Sequence, residues 1–309
     1  MAEPAHGVEA NLADDASEVG TGYLGPEGTF TEEALLGSAE LGAVLPVPVA
    51  GIRDAVMAVQ ERRLRWALVP LENSVEGSVP VTLDTLAGAA PDVSIVGEAV
   101  LAVRHHLIAP EPIELERVET VVSHPHVPGQ CVRFLTTRLA HARVTAASST
   151  AEAVRQVSER ANGREAAIGT ELAAKLYGCK VLASGIQDRE DNETRFVWLA
   201  RSEAAQPPRL RSSNPHVNRT SILFWGAGAG RSGWLVRCLD AFAEREINLT
   251  RIESRPMRER LGQYMFFVDL EGSLADAPVA AAMRALGELC ERVRVLGSYP
   301  AAQNDAVEG

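Results

Sequence analysis

Paired cysteines, long apolar runs and an excess of positive charge are all missing from this chain of 309 residues. Its four cysteines, Cys131, Cys179, Cys238 and Cys290, stand far apart and form no C-x-x-C pair. No zinc or redox motif is therefore present, and they read as small buried hydrophobes in a reducing compartment. No segment approaches the eighteen or so apolar residues of a membrane span. Residues 1–20 lack the basic and apolar segments of a secretion signal, so the expected location is cytoplasmic. Asp and Glu total 41 against 30 Lys and Arg, a formal net charge of −11. Such a field repels polyanions, which argues against nucleic acid and acidic membrane surfaces as partners. An anionic ligand must then be held by local groups.

What is present is an ordinary globular composition, 46% hydrophobic and 23% charged, at a length that suits two domains. Residues 1–20 and 301–309 are small, polar and aperiodic, and read as tails. Between 21 and 201, short β-rich runs alternate with helix-period stretches, which predicts an α/β domain with mainly parallel strands. The run 93–109 is too long for one strand and reads, with 183–195, as a crossover between two lobes that enclose a cleft. Pro207, Pro208 and Pro215 break the pattern over 202–218, read as a linker that leaves the next domain free to shift. Residues 219–300 then follow the order strand, helix, strand, strand, helix, strand, a βαββαβ unit of the ferredoxin-like kind. Leu235, Leu239 and Phe242 mark the buried face of its first helix. The expectation is two helices on one face of the sheet, with the other face open to a ligand or a twin subunit.

Four strand-to-helix junctions are rich in small hydroxyl residues: Gly25 to Thr29, Ser123 to Pro125, Ser148 to Thr150, and Gly169 to Glu171. Each sets backbone N–H groups and a hydroxyl at a helix start, where a carboxylate is favoured. One such junction is ordinary capping. Four together point to a small-anion cleft. Gly22, Gly25 and Gly28 do not make the dinucleotide fingerprint, no phosphate-loop lysine occurs, and no His/Cys/Asp cluster has ligand spacing, so neither a nucleotide nor a metal is expected. Two polar runs open at strand mouths, Glu72-Asn73-Ser74 and Asp188 to Arg195, where reactive groups are commonly displayed.

These residues carry a family resemblance. GYLGPEGTFTEEA, VPLENSVEGSV, SHPHVPGQC, AAIGTELAAKLYG and NETRFVWLAR, in this order over about 22–200, resemble the prephenate dehydratases. Ile252-Glu253-Ser254-Arg255-Pro256 resembles the ESRP motif of an ACT regulatory domain. The resemblance implies a catalytic domain of the type II periplasmic-binding-protein kind, converting prephenate to phenylpyruvate in phenylalanine biosynthesis without a cofactor. It makes Thr194 the catalytic donor, adds Glu72 and Asn73 to the catalytic set and Ser123 and Gln130 as cleft-lining groups, while Arg195 either supplies charge to the substrate or braces its loop as a structural ion pair. The junction hydroxyls Thr29, Ser149 and Thr170 complete the expected substrate-binding set.

The same resemblance implies feedback control by phenylalanine at a dimer interface, in a homodimer or homotetramer. Its effector segment maps to Gly233, Leu235, Asn248, Leu249, Glu253, Ser254, Arg255 and Pro256. The family often has Gly-Ala-Leu-Val where this chain has Gly233-Trp234-Leu235-Val236. The Trp234 ring either projects into the effector pocket and shrinks it, or packs on the buried helix face and leaves it normal. Alternatives to the leading function are arogenate as substrate and a non-catalytic receptor for small anions or amino acids.

Overall fold

The structure, a computed structural model, describes residues 20–161, 163–202, 206–211, 213–226, 230–257 and 262–302. Of the expected tails, 1–20 and 301–309, residues 1–19 and 303–309 lie outside these residues, whereas Gly20 opens the first strand and Ala301 and Ala302 close the last, so both tails are shorter than expected. The first lobe runs through β1 (Gly20–Leu24), α1 (Phe30–Ser38), β2 (Leu45–Val49), α2 (Ile52–Gln60), β3 (Trp66–Asn73), β4 (Gly77–Ser78), α3 (Pro80–Asp84) and β5 (Val93–Ala102). The chain then crosses to β6 (His106–Ala109), β7 (Thr120–Ser123), α4 (Val132–Arg138), β8 (Arg143–Ala146), α5 (Thr150–Arg160), β9 (Glu165–Gly169), α6 (Glu171–Leu176) and β10 (Lys180–Ala183). It returns to the first lobe as β11 (Glu193–Arg201). The last part comprises β12 (Ser213–Trp225), α7 (Trp234–Ala243), β13 (Leu249–Pro256), β14 (Tyr264–Glu271), α8 (Ala277–Leu289) and β15 (Arg292–Ala302).

The first sheet has the order β2-β1-β3-β11-β5 with β4 paired to β3, and the second β10-β6-β9-β7-β8. This is the expected two-lobed α/β arrangement, but the returning strand β11 is antiparallel to both β3 and β5. The crossings fall between Ala102 and His106 and between Ala183 and Glu193. The third sheet, β13-β14-β12-β15, makes the βαββαβ unit.

Local chemistry sets the helix starts that face the lobes. The Thr29 hydroxyl accepts from the Glu32 N–H at 3.4 Å, while the Glu32 carboxylate reaches back to the Gly28 N–H, a reciprocal cap at the start of α1. Ser149 caps α5 in the same way, accepting from the Glu152 N–H at 3.0 Å.

The third sheet overturns one expectation. One face is covered by α7 and α8, through Ile222, Phe224, Cys238, Phe242, Val268 and Leu286. The other is not open. Leu223, Phe267, Leu296 and Tyr299 enter a single core with Val69, Leu71, Ile95, Val197 and Leu199 of the first lobe. The physical reason is two-sided apolarity: β12 and β14 carry continuous apolar runs rather than alternating ones, which is how strands buried on both faces read. The approach is so close at Gly297 that a methyl group there would lie 2.1 Å from the Ile95 carbonyl oxygen.

The expected freedom of the 202–218 segment is corrected as well. Ala39 and Leu210 form a bridge, the Glu40 N–H donates to the Arg209 carbonyl at 2.8 Å, and the Arg211 N–H to that of Ser38 at 2.8 Å. Residues 206–211 are thus tied to the end of α1, and β12 begins at Ser213.

Candidate active site

A cleft of about 970 Å³ opens between the two lobes. Its floor is the mouth of the first sheet, where a β-bulge decides which side chains face it. Strand β11 pairs Thr194 with Asn73, Arg195 with Glu72 and Phe196 with Pro70, so Leu71 is the extra residue on β3. Without that bulge Glu72 would oppose Thr194 and share its face. With it, Asn73 takes that place and Glu72 turns to the opposite face. Pro70 fits the irregularity, since proline inside a sheet is confined to edges and bulges.

Of the expected residues, Thr194, Asn73, Gln130, Ser149 and Thr29 line the cleft. Glu72 and Arg195 do not. Both point to the third sheet, where Arg195 is 6% exposed and donates to Glu72 at 2.8 Å, Glu98 at 2.8 Å, Asp269 at 2.7 Å and the Tyr299 hydroxyl at 3.0 Å. The reason for Arg195 is strand alternation: it shares a face with Val197 and Leu199, not with Thr194 and Phe196. Ser123 is buried away from the cleft, its hydroxyl 3.4 Å from the His124 carbonyl. Thr170 is also fully buried; it caps α6 and donates to the Gly28 carbonyl at 2.7 Å, joining the lobes.

A network of amides orients the cleft's hydroxyl. Asn73 Oδ1 accepts from the N–H groups of Val75 and Glu76, both at 2.9 Å, which fixes the side chain and leaves Nδ2 to donate. It donates to Thr194 Oγ1 at 2.9 Å and to Asn192 Oδ1 at 2.8 Å. Thr194 Oγ1 is therefore an acceptor in this contact, and its own proton is left for a partner in the cleft. Asn192 Nδ2 then donates to Gln130 Oε1 at 3.0 Å, and Gln130 Nε2 to Glu76 Oε1 at 2.9 Å. Asn192, Glu76 and His105 also line the cleft and were not expected from sequence. Asn192 sat in a polar run that gave it no distinguishing signal, and a histidine next to a strand start has none.

No lysine or arginine is found among the described lining residues. Among the described lining residues the charged ones are Glu27 and Glu76, with His105, His124 and His126 as the basic ones. Positive potential comes instead from the first turns of α1, α2 and α5, which contribute Phe30, Ile52 and Thr150 to the wall. Apolar wall is supplied by Leu24, Val49, Val79, Val103 and Phe196.

Burial lowers the pKa of His105, His106 and His124 below the ordinary histidine value. Between the folded and unfolded values the unfolded chain binds more protons, so stability falls as pH drops below about 6.5. Urea unfolding at a series of pH values is expected to show a midpoint that rises from about pH 5 to pH 7. A midpoint that falls over this range contradicts the burial of these rings.

The expected effector residues are split. Gly233 and Leu235 line a cavity of about 190 Å³ with Arg231, Val236, Tyr264 and Phe266. On β13, Arg255 turns to the first lobe and pairs with Asp84 at 3.1 and 2.8 Å, and Glu253 pairs with Arg251. Leu249 packs on the core under α7 and α8, and the Asn248 carbonyl accepts from the Glu271 N–H at 3.0 Å. Ser254 is exposed, and Pro256 lines a separate cavity with Asp84, Trp225 and Met265. Trp234 combines its two expected placements: it packs into the core and also forms part of the wall of the Gly233 cavity. It is 4% exposed, packs against Phe224 and Phe266, and donates from Nε1 to the Leu289 carbonyl at 2.8 Å.

The family profile described as prephenate dehydratase matches residues 21–204, which span both lobes and every cleft residue named above. The chain belongs to the prephenate dehydratase family. It is 40% identical to the prephenate dehydratase of Amycolatopsis methanolica over 284 residues, covering 92% of this chain and 89% of that one. It is 42% identical to that of Mycobacterium sp. (strain JLS), covering 90% and 88%. The crystal structure of the Arthrobacter aurescens prephenate dehydratase in complex with L-Phe aligns at 34% identity and a TM-score of 0.80, covering 93% of this chain and 91% of that one. The third sheet lies outside the profile match but inside these longer alignments to the prephenate dehydratases.

Proposed function

We propose that the interlobe cleft carries out the decarboxylating dehydration of prephenate to phenylpyruvate, a carbon–oxygen lyase reaction. The observation that carries this reading is the Thr194 hydroxyl, held as an acceptor by Asn73 with its proton directed to a cleft ligand. In the reaction the bond from the ring to its carboxylate breaks and CO2 leaves. That electron pair makes the ring aromatic and expels the C4 hydroxyl, which departs as water after taking a proton. An alcohol is a weak acid, so Thr194 acts as an aimed hydrogen bond that strengthens as charge grows on the departing oxygen. The pyruvyl carboxylate is matched to the helix starts at Thr29 and Ser149, and the departing carboxylate to the apolar wall, where lost hydration favours CO2.

Incubation of the purified protein with prephenate or arogenate in parallel is expected to release one CO2 per phenylpyruvate from prephenate and to act poorly on arogenate. Faster turnover of arogenate would reassign the substrate. Among the described residues no group of three or more His, Cys, Asp and Glu side chains has a metal-binding arrangement. Dialysis against a chelator is expected to leave the rate unchanged; loss of activity restored by a divalent metal overturns the cofactor-free reading.

The βαββαβ unit is read as an ACT regulatory domain that binds phenylalanine between two copies of the chain in a homodimer, itself able to pair into a tetramer. The cavity at Gly233 and Leu235 supplies one wall, and β13, an edge strand of its sheet, is free to bring Ser254 and Pro256 of a second copy. Trp234 lines this cavity with its ring largely buried in the domain core, so it is a wall of the pocket read here as the phenylalanine site. Calorimetry is expected to show phenylalanine binding to the intact protein, with Arg255→Ala weakening the inhibition that follows. Absence of heat at millimolar phenylalanine contradicts this. No described helix is long and apolar enough to cross a membrane, in keeping with the cytoplasmic location we assign to a biosynthetic enzyme.

A further inference from the structure

The amide network in the cleft closes on itself. Asn73, Asn192, Gln130 and Glu76 form a ring of hydrogen bonds in which every donor and acceptor is assigned by its neighbour, starting from the two backbone N–H groups on Asn73 Oδ1. The ring draws Asn73 and Glu76 from the first lobe, Gln130 from the second and Asn192 from a crossover. Besides Thr194 on Asn73 and His126 beside Glu76, His105 touches it. His105 Nε2 lies 3.0 Å from Gln130 Oε1, the atom that already accepts from Asn192.

Because Gln130 Oε1 has no proton, the contact requires that His105 carry its proton on Nε2. Nδ1 is then bare, and among the described residues this buried atom has no partner. Burial favours the neutral ring, consistent with one proton rather than two. The ring is 1% exposed and its edge meets Phe30, another cleft residue, at 5.5 Å between centroids. Its backbone ties the crossovers together: the His105 N–H donates to Gln187 Oε1 at 3.0 Å, and its carbonyl accepts from the Ile186 N–H at 3.0 Å.

We infer that His105 is a positioning residue for the dehydration, an inference that rests on the prephenate reading of this cleft. As a neutral imidazole at the crossover it supplies the second donor to Gln130 Oε1 and so holds the amide in the rotamer that closes the ring. Through Asn192 and Asn73 that ring fixes the direction of the Thr194 hydroxyl. His105 does not touch the reacting atoms in this role. A purely structural histidine would serve equally well with its proton on either nitrogen, and its loss would not depend on Gln130.

His105→Phe keeps the ring and its contact with Phe30 but removes the donor, whereas His105→Gln keeps an N–H near the Nε2 position. Loss of one hydrogen bond of about 1 kcal/mol predicts that His105→Phe lowers kcat about five- to tenfold with little change in KM. His105→Gln is expected to recover most of that loss, and His105→Phe is expected to add nothing in a Gln130→Ala background. A kcat for His105→Phe within about twofold of wild type, or losses that multiply in the double variant, overturns the inference. The tautomer is read without turnover, from the imidazole 15N spectrum of the wild-type protein assigned by difference against His105→Gln. A proton on Nε2 alone at neutral pH, with the signal moving in Gln130→Ala, supports the inference. A proton on Nδ1, or on both nitrogens, overturns it. These spectra decide the positioning role even if the protein makes no phenylpyruvate, a result that would count against the substrate reading alone.

Discussion

Thr194→Ala is expected to lower kcat by about 10² to 10³ while leaving KM nearly unchanged, because the lost hydrogen bond matters mainly where charge grows on the leaving hydroxyl. Folding is expected to survive. Thr194 is half-buried at a strand mouth, and removing its hydroxyl leaves Asn73 Nδ2 with Asn192 Oδ1 at 2.8 Å and the Glu193 carbonyl at 3.1 Å, so no buried donor is orphaned. The stability cost is then about 1 kcal/mol. Thr194→Ser keeps the donor and should retain much more activity than the alanine variant. Steady-state kinetics beside a thermal melt separates the two effects. Retention by Thr194→Ala of more than about a third of wild-type kcat is incompatible with a donor of this kind.

Arg195→Met carries the largest expected effect on stability. Arg195, Arg219 and Arg251 meet Glu72, Glu98, Asp269 and Glu253 at the junction of the first lobe and the third sheet, three positive charges against four negative ones. Glu98 and Asp269 are 5% and 2% exposed. Burial alone would raise the Asp269 carboxyl, but Arg195, the Ser221 hydroxyl and Arg251 outweigh it and hold its pKa below the ordinary value. Deleting Arg195 leaves a buried negative charge uncompensated, a change that costs about 3–5 kcal/mol. For a chain of this size that lowers Tm on the order of 10 °C. Adding Asp269→Asn to Arg195→Met removes the orphaned charge and is expected to recover part of the loss. A Tm within about 2 °C of wild type for Arg195→Met would place this cluster among ion pairs of no net consequence.

Position on the strand decides between the two roles open to Arg195. It follows Thr194 directly, and neighbouring strand residues face opposite ways, so it falls to the structural ion pair rather than to the cleft. Alternation could have separated the two. The partners Asp269 and Tyr299 could not have been found so, since they come from strands 74 and 104 residues away in sequence. Glu72 is the reverse case. Plain alternation from the apolar residues of β3 would have put it in the cleft, and one extra residue at Leu71 took it out. Bulges have weak local signals, and here the signal was Pro70 inside an otherwise regular strand. The order of elements was legible because helix and strand periods differ so clearly along 21–201 and 219–300. The covered face of the third sheet was legible in principle from Met265 to Val268, an apolar run too continuous for a strand with one wet side.

The central claim is that the interlobe cleft makes phenylpyruvate by a hydrogen bond from Thr194. It is tested most directly by following the ultraviolet absorbance of phenylpyruvate as purified wild-type and Thr194→Ala proteins act on the same prephenate solution at neutral pH. Complete conversion by the wild type, with a rate about a hundredfold or more lower for the variant, is the predicted result. No phenylpyruvate from the wild type, or equal rates from the two, would contradict it.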